Sequence, residues 1–219
     1  LAAYVELLLD TPQFFSVFWN SCGQVFPIIL GHVLLGAPAA WAFAKFHFRG
    51  KKILYTLYIV LMLMPFQVTM VSSYLVLNKL GLIDTVWAVI LPGAASTLPV
   101  FIMTRFFMDI PEAVMEAAAV DGASSFQIFL RFGLPLGAPG ILSAVVLGFL
   151  EYWNAIEAPQ AFLKNQTLWP LSLYMTNITA DNAGVSLIAS LITLMPPLLI
   201  FLFGQKYLEQ GIISSGMKD

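Results

Sequence analysis

The sequence predicts an all-α fold, a polytopic bundle of transmembrane helices, and three observations carry that expectation. Hydrophobic residues make up 59% of the 219-residue chain and charged residues only 10%, against about 45–50% and about 25% in a soluble domain. Mean hydropathy is +0.86, so a soluble fold would lack the charge to cover its own surface and lipid must do it. Apolar stretches also recur at the length of a bilayer core, about 20 residues. They lie at 17–44, 53–77, 85–108, 137–158 and 185–203, giving five spans within one transmembrane domain, 1–219.

The elements follow in chain order. Segment 1–13 carries Glu6 and Asp10 and reads as an interfacial stretch outside the membrane. It has no charged n-region, short apolar stretch and small-residue cleavage site of a signal peptide. The chain begins at Leu1, and sequence upstream of it is expected. The first span holds Cys22, the one cysteine, which excludes an internal disulfide or a multi-cysteine metal site. It also holds His32, expected to be packed or hydrogen-bonded, because no second metal ligand accompanies it. Pro27, Pro38, Pro65, Pro92, Pro99, Pro196 and Pro197 all fall inside spans. Each removes a backbone donor, and neighbouring helices can re-satisfy the freed carbonyls. The Pro196-Pro197 pair should bend the last span.

Orientation follows from lysine and arginine. Lys45, Arg49, Lys51 and Lys52 crowd the first connection, Arg105 and Arg131 flank the third, and Lys206 and Lys218 follow the last span. Only Lys79 and Lys164 fall in the other two connections. The eight-to-two bias makes the first side cytoplasmic, with the N-terminus outside and the C-terminus inside. A net charge of −2 argues against a nucleic-acid partner, which would require a basic face.

The 109–135 connection has structure signals of its own. Asp109 with Pro111 and Glu112 has the spacing of a capping box, and the helix that follows would place Val114, Ala117 and Ala118 on one face. Asp121-Gly122 breaks it, since glycine tolerates the positive φ of a sharp turn. Ser124 with Gln127 then caps a second short helix, expected to end at Gly133 and Pro135.

Glu116-Ala117-Ala118, then Gly122, then Leu134-Pro135 resembles the EAA loop of ABC importer permeases. That pattern is Glu-Ala-Ala, three residues, Gly, nine residues, Ile, one residue, Leu-Pro. Phe132 stands at the Ile position, a departure that keeps an apolar side chain. Asp121-Gly122-Ala123-Ser124, Phe48-Arg49-Gly50-Lys51 and Gln205-Lys206-Tyr207…Gln210-Gly211 are likewise similar to the maltose-type sugar permeases, so nearly the whole chain is covered. The resemblance implies a type I ABC importer permease fold in which 109–135 is a cytoplasmic coupling loop. Glu116, Ala117, Ala118, Asp121, Gly122, Leu134 and Pro135 would meet the ATPase there. It implies a carbohydrate importer in a bacterial or archaeal cytoplasmic membrane, and six spans with both ends inside, of which the first is missing from this chain. The implied partners are an ABC ATPase dimer, a second permease subunit expected to be a different chain, an extracytoplasmic solute-binding protein, and membrane lipid. Permeases for glycerol phosphate or a polyol, and a self-sufficient secondary carrier, are the competing readings.

No G-x-x-x-x-G-K-[ST] loop occurs, so ATP and Mg would be bound by the partner ATPase, with no cofactor in this chain. No catalytic constellation is present either, and the chain is expected not to be an enzyme. Glu151 is the clearest ionisable residue within a span. A carboxylate at mid-membrane costs about 2.5–3.5 kcal/mol on insertion scales, so it should face a cavity or a partner. With Trp153 and Asn154 it forms the candidate substrate pathway. An aromatic face stacks on a sugar ring, and carboxylate and amide groups bind its hydroxyls. The competing reading puts Glu151 at the outer interface and Trp153 in the aromatic belt.

Overall fold

The computed structural model describes residues 12–176 and 183–216, with side chains from 13 to 176 and from 187 to 209. Glu6, Asp10 and Lys218 lie outside them. Every regular element among the described residues is helical. The first apolar stretch is α1, Pro12–Gly31, a π-helical turn at His32–Gly36, and α2, Ala37–Lys45. The wide turn sits just before Pro38, whose ring would otherwise clash with the carbonyl of Leu34 and which has no N–H to donate. The second stretch, expected as one helix, is two: α3, Lys51–Met62, and α4, Phe66–Lys79. Pro65 is the cause. It is extended (φ −66°, ψ 148°) and disfavours helical backbone at Met64 before it.

The third stretch is α5, Trp87–Ala94, and α6, Thr97–Met108. After the 109–135 connection comes α10, Ala138–Trp153, preceded in that connection by α7, Glu112–Val120, α8, Ser125–Ile128, and α9, Leu134–Leu136. The fourth span was expected to reach Ala158, but it stops at Trp153. Asn154 Nδ2 donates to the Leu150 carbonyl at 2.8 Å, which takes up the helix end, and Glu157 opens a separate short helix, α11, Glu157–Phe162. A 3-10 turn at Gln166–Leu168 and α12, Leu171–Met175, lead to α13, Ala183–Gly216, which runs through Pro196 and Pro197 without a break in the helix.

By length and apolarity, Gln13–Lys45, Trp87–Met108 and Leu187–Glu209 could each cross a bilayer. The number becomes five if the bent pairs Lys51–Met62 with Phe66–Lys79, and Ser125–Leu136 with Ala138–Trp153, count as one span apiece.

Packing gathers the chain into two units. The first comprises the described parts of Leu1–Ile29, Met64–Ala94 and Phe149–Leu202. Its core joins Phe14, Val17 and Val25 of α1 to Phe149 and Trp153 of α10, with Leu171 and Ala189. Polar residues on α1 hold the irregular chain after α11. Asn20 Nδ2 donates to the carbonyls of Thr167 (2.7 Å) and Trp169 (3.1 Å), Gln24 Nε2 donates to Leu168 (2.8 Å), and Ser21 Oγ accepts from the Leu171 N–H (2.7 Å). On the same stretch, Asp84 at φ 62° accepts the N–H groups of Lys164 and Asn165. Asp is among the few non-glycine residues that tolerate this backbone region.

The second unit comprises Leu30–Leu63, Ala95–Gly148 and the described part of Phe203–Asp219. Its core centres on Trp41, Met103 and Phe107, with Ala118, Ile128 and Phe129 from the 109–135 connection.

Candidate functional site

Within 109–135 the first helix begins later than the capping-box spacing predicts. Its cap is Pro111, extended at φ −60° and ψ 137°, with no side-chain cap bond. Asp109 instead closes α6, where its N–H points at the carbonyls of Phe106 and Phe107. The proline explains the shift, because the residue before it is pushed out of helical backbone, so α7 can start only at Glu112. Its end matches the expected turn. Gly122 has φ +84°, the Gly122 N–H reaches the Ala119 carbonyl (3.0 Å) and the Ala123 N–H reaches Ala118 (3.0 Å). These two bonds make a Schellman motif with glycine at the left-handed position.

The second helix is capped as the sequence suggests. Ser124 Oγ accepts from the Gln127 N–H (3.3 Å), and Gln127 Oε1 accepts from the Ser124 N–H (2.8 Å), a complete capping box. It does not stop at Gly133. A π-helical turn, Phe129–Gly133, carries it into α9, and the Leu134 N–H reaches back to Phe129. That wider turn accommodates Pro135 as the first one accommodates Pro38. The helix breaks only at Gly137, where α10 leaves at 68°.

One side of this helix–turn–helix is anchored. Ile110, Ala118, Ile128 and Phe129 are buried with Trp41 and Phe107, while Met115, Phe132 and Leu134 pack at the edge of the same core. The Trp41 ring meets Phe107 edge-on at 5.3 Å and Phe129 at 5.6 Å. Lys45 Nζ donates to the Ile110 carbonyl at 2.5 Å and pins the start of the segment to the end of α2. Sequence reasoning counted Lys45 only among the basic charges and did not reach Trp41, because their role here depends on contacts across more than 60 residues that no local pattern encodes.

The other side is open. Ala113, Glu116, Ala117 and Val120 are exposed at i, i+3, i+4 and i+7 on α7, Val120 by 87%, followed by Asp121, Gly122 and Phe126. The buried face is therefore Val114, Met115 and Ala118, and Ala117, expected beside Ala118, points away from it. Since α7 starts two residues later than the capping box implied, the anchor at Ile110 sets which stripe turns inward. Pro135 is exposed, and Leu134 is partly buried.

The three pathway candidates separate. Trp153 is 2% exposed. Phe149 stacks on it at 5.3 Å and 15°, Phe18 meets it edge-on at 5.7 Å, and its Nε1 donates to the Thr193 carbonyl at 3.1 Å. It is a core residue of the first unit and offers no free face for a sugar to stack on. Glu151 and Asn154 are exposed on the same helix end, in line with exposed Leu147. Among the described residues no group of three or more His, Cys, Asp or Glu could hold a metal.

Residues 32–214 match the family described as the inner membrane component of binding-protein-dependent transport systems. The chain belongs to this family. As a member it is the membrane-integral permease subunit of an ABC transporter, a transport component and not an enzyme. It is similar to AraQ of Halalkalibacterium halodurans, an arabinooligosaccharides transport system permease protein. The two are 25% identical over 218 residues, 98% of this chain and 78% of the relative. It is also similar to UgpE of Pectobacterium atrosepticum, an sn-glycerol-3-phosphate transport system permease protein, 26% identical over 211 residues, 94% of this chain and 75% of the relative. Among solved structures, a bacterial ABC transporter that imports the acidic polysaccharide alginate superposes with a TM-score of 0.83 at 22% identity. The match covers 94% of this chain and 78% of that one. The fold is thus the ABC importer permease bundle that the resemblance to EAA-loop permeases implied.

Proposed function

We propose that this permease, paired with a second permease subunit, forms the membrane pathway for a carbohydrate delivered by an extracytoplasmic binding protein. An ABC ATPase dimer that binds ATP and Mg drives it, across a bacterial or archaeal cytoplasmic membrane. Segment 109–135 is its coupling loop. The observation that carries this reading is the two-sided build of that segment. Its outer stripe of Ala113, Glu116, Ala117 and Val120 is open to a partner, with two alanines that allow close approach, while its inner face is fused to α2 and α6 through Trp41 and Phe107. A push on the stripe is passed to the spans because close-packed side chains transmit displacement and do not absorb it. Oligosaccharide cargo is favoured by the arabinooligosaccharide and alginate systems among the similar proteins. The glycerol-phosphate relative makes a polyol phosphate the second substrate to assay.

Gly122→Leu tests the coupling role. A Cβ at Gly122 would meet nothing within 4 Å, so the first atom of a side chain has room there. Its cost is the left-handed backbone, about 1–2 kcal/mol. The variant should insert normally, lose association with the ATPase and lose ATP-driven oligosaccharide uptake in proteoliposomes containing all partner subunits. Gly122→Asn, which tolerates positive φ, should retain more of both. Full uptake by Gly122→Leu would remove the coupling assignment, and uptake without ATP or the ATPase chain would make the protein a secondary carrier.

A further inference from the structure

Where α2 ends and α3 begins, the second unit leaves an open groove of about 550 Å³. Its walls are apolar and aromatic, with Phe43, Phe48, Tyr55 and Met108, and Lys51 and Lys52 stand at its rim. Phe43 packs against Tyr55 at 5.4 Å and Phe48 at 6.2 Å, which gives the groove a firm floor. Lys51 Nζ donates to the Phe46 carbonyl at 3.0 Å. One of its three donors is used there, so the ammonium stays over the rim with two to give. Lys52 and neighbouring Arg49 are exposed, and among the described residues no carboxylate lines the groove.

Position adds to chemistry. The groove opens between the last residue of one apolar helix, Lys45, and the first of the next, Lys51, the depth at which lipid headgroups meet hydrocarbon. We propose that it binds an anionic phospholipid, with the headgroup phosphate on Lys51, Lys52 and Arg49 and an acyl chain against Phe43, Phe48, Tyr55 and Met108. A soluble anion would leave the aromatic wall uncovered. A zwitterionic lipid would bring its own ammonium against two lysines. The inference needs only that the chain is membrane-integral and is independent of the solute carried.

The test uses the permease assembled with its partner subunits in nanodiscs, probed with phosphatidylglycerol and phosphatidylcholine that carry the same photoactivatable acyl chain. The phosphatidylglycerol probe should label the groove residues in preference to the phosphatidylcholine probe. Each lysine near a membrane surface contributes about a factor of five to anionic-lipid binding, so Lys51→Gln with Lys52→Gln should lower labelling about 25-fold and leave phosphatidylcholine labelling unchanged. Arg131→Gln, which removes a charge away from the groove, should have no such effect. Met108→Trp keeps both lysines but fills the groove, and should move the label elsewhere. Equal labelling by the two probes, an unchanged label in the double lysine variant, or a groove label that persists in Met108→Trp would each overturn the proposal. So would displacement of the probe by inorganic phosphate alone, which would mark a site for the free ion.

Discussion

At position 133 a hydrogen atom stands where any other side chain would meet an indole. A Cβ built on Gly133 would lie 2.8 Å from Trp41 Cζ3. The ring cannot give way, because Phe107 and Phe129 hold it from two further sides. Gly133→Ala should therefore destabilise the protein by about 1–3 kcal/mol, as overpacking does, and Trp41→Phe, which shortens the ring, should recover part of that. Thermal unfolding of the two single variants and the double in detergent should give a coupling of about 0.5–3 kcal/mol. Strict additivity would show that the two residues do not share a contact. Trp153 makes the opposite case. Its burial between Phe149 and Phe18 means that Trp153→Ala should cost about 3–5 kcal/mol as a large-to-small core change. Exposed Glu151, changed to Gln, should leave stability within about 0.5 kcal/mol and alter uptake if the carboxylate meets the solute. An uptake defect in a fully stable Trp153→Ala protein would place that residue in the pathway.

Between residues and the whole chain, short elements depend on their ends. The helix that opens at Ser125 has one regular turn before its π-helical turn, too little to be stable alone. Its capping box therefore matters more than it would in a long helix. Ser124→Ala removes the acceptor for the Gln127 N–H and should cost about 1 kcal/mol. The expected result is faster amide hydrogen exchange at 126–128, with exchange in Thr97–Met108 unchanged; equal protection in the variant would mean that tertiary contacts alone order this turn. Much at this scale is legible in the sequence. The Ser124–Gln127 cap, the Gly122 turn and the apolar stretches are local signals, each readable within a few residues. What is not legible depends on distant partners or on how the chain answers a proline. Asp109 and Pro111 have the right spacing for a cap, yet proline's effect on the residue before it moves the helix start to Glu112. Pro65 likewise divides one apolar run into two helices, and Pro38 and Pro135 are absorbed by wide turns with no composition signature. Trp153 sits beside a carboxylate and an amide in sequence, but its side chain turns away from the exposed line that Glu151 and Asn154 share, and only the packing tells which of them is buried.

For the molecule as a whole, the arrangement of the chain across the membrane ties these pieces to transport. The basic residues predict that connections 45–52 and 109–135 face the cytoplasm, and that Lys79 and Lys164 face outward. The helices long and apolar enough to cross, with the two bent pairs each taken once, give an odd number of passes, so the two ends of the described chain should lie on opposite sides. The proposed coupling to an ATPase requires 109–135 inside, and the charge bias puts the 154–171 chain, which holds Lys164 and is tied to Asn20, Gln24 and Asp84, outside. Single cysteines introduced at exposed Ser124 and exposed Lys164, in a Cys22→Ser background, separate the possibilities. An impermeant thiol reagent added to intact cells should label position 164 and spare position 124, with the pattern reversed in inverted vesicles. Labelling of position 124 from outside would put the coupling stripe on the wrong side of the membrane for an ATPase, and would overturn the topology and the proposed mechanism together. Labelling of neither position from outside would leave coupling intact and bury the 154–171 chain beneath a partner. Adding or removing the binding protein in the same assay would then identify that partner.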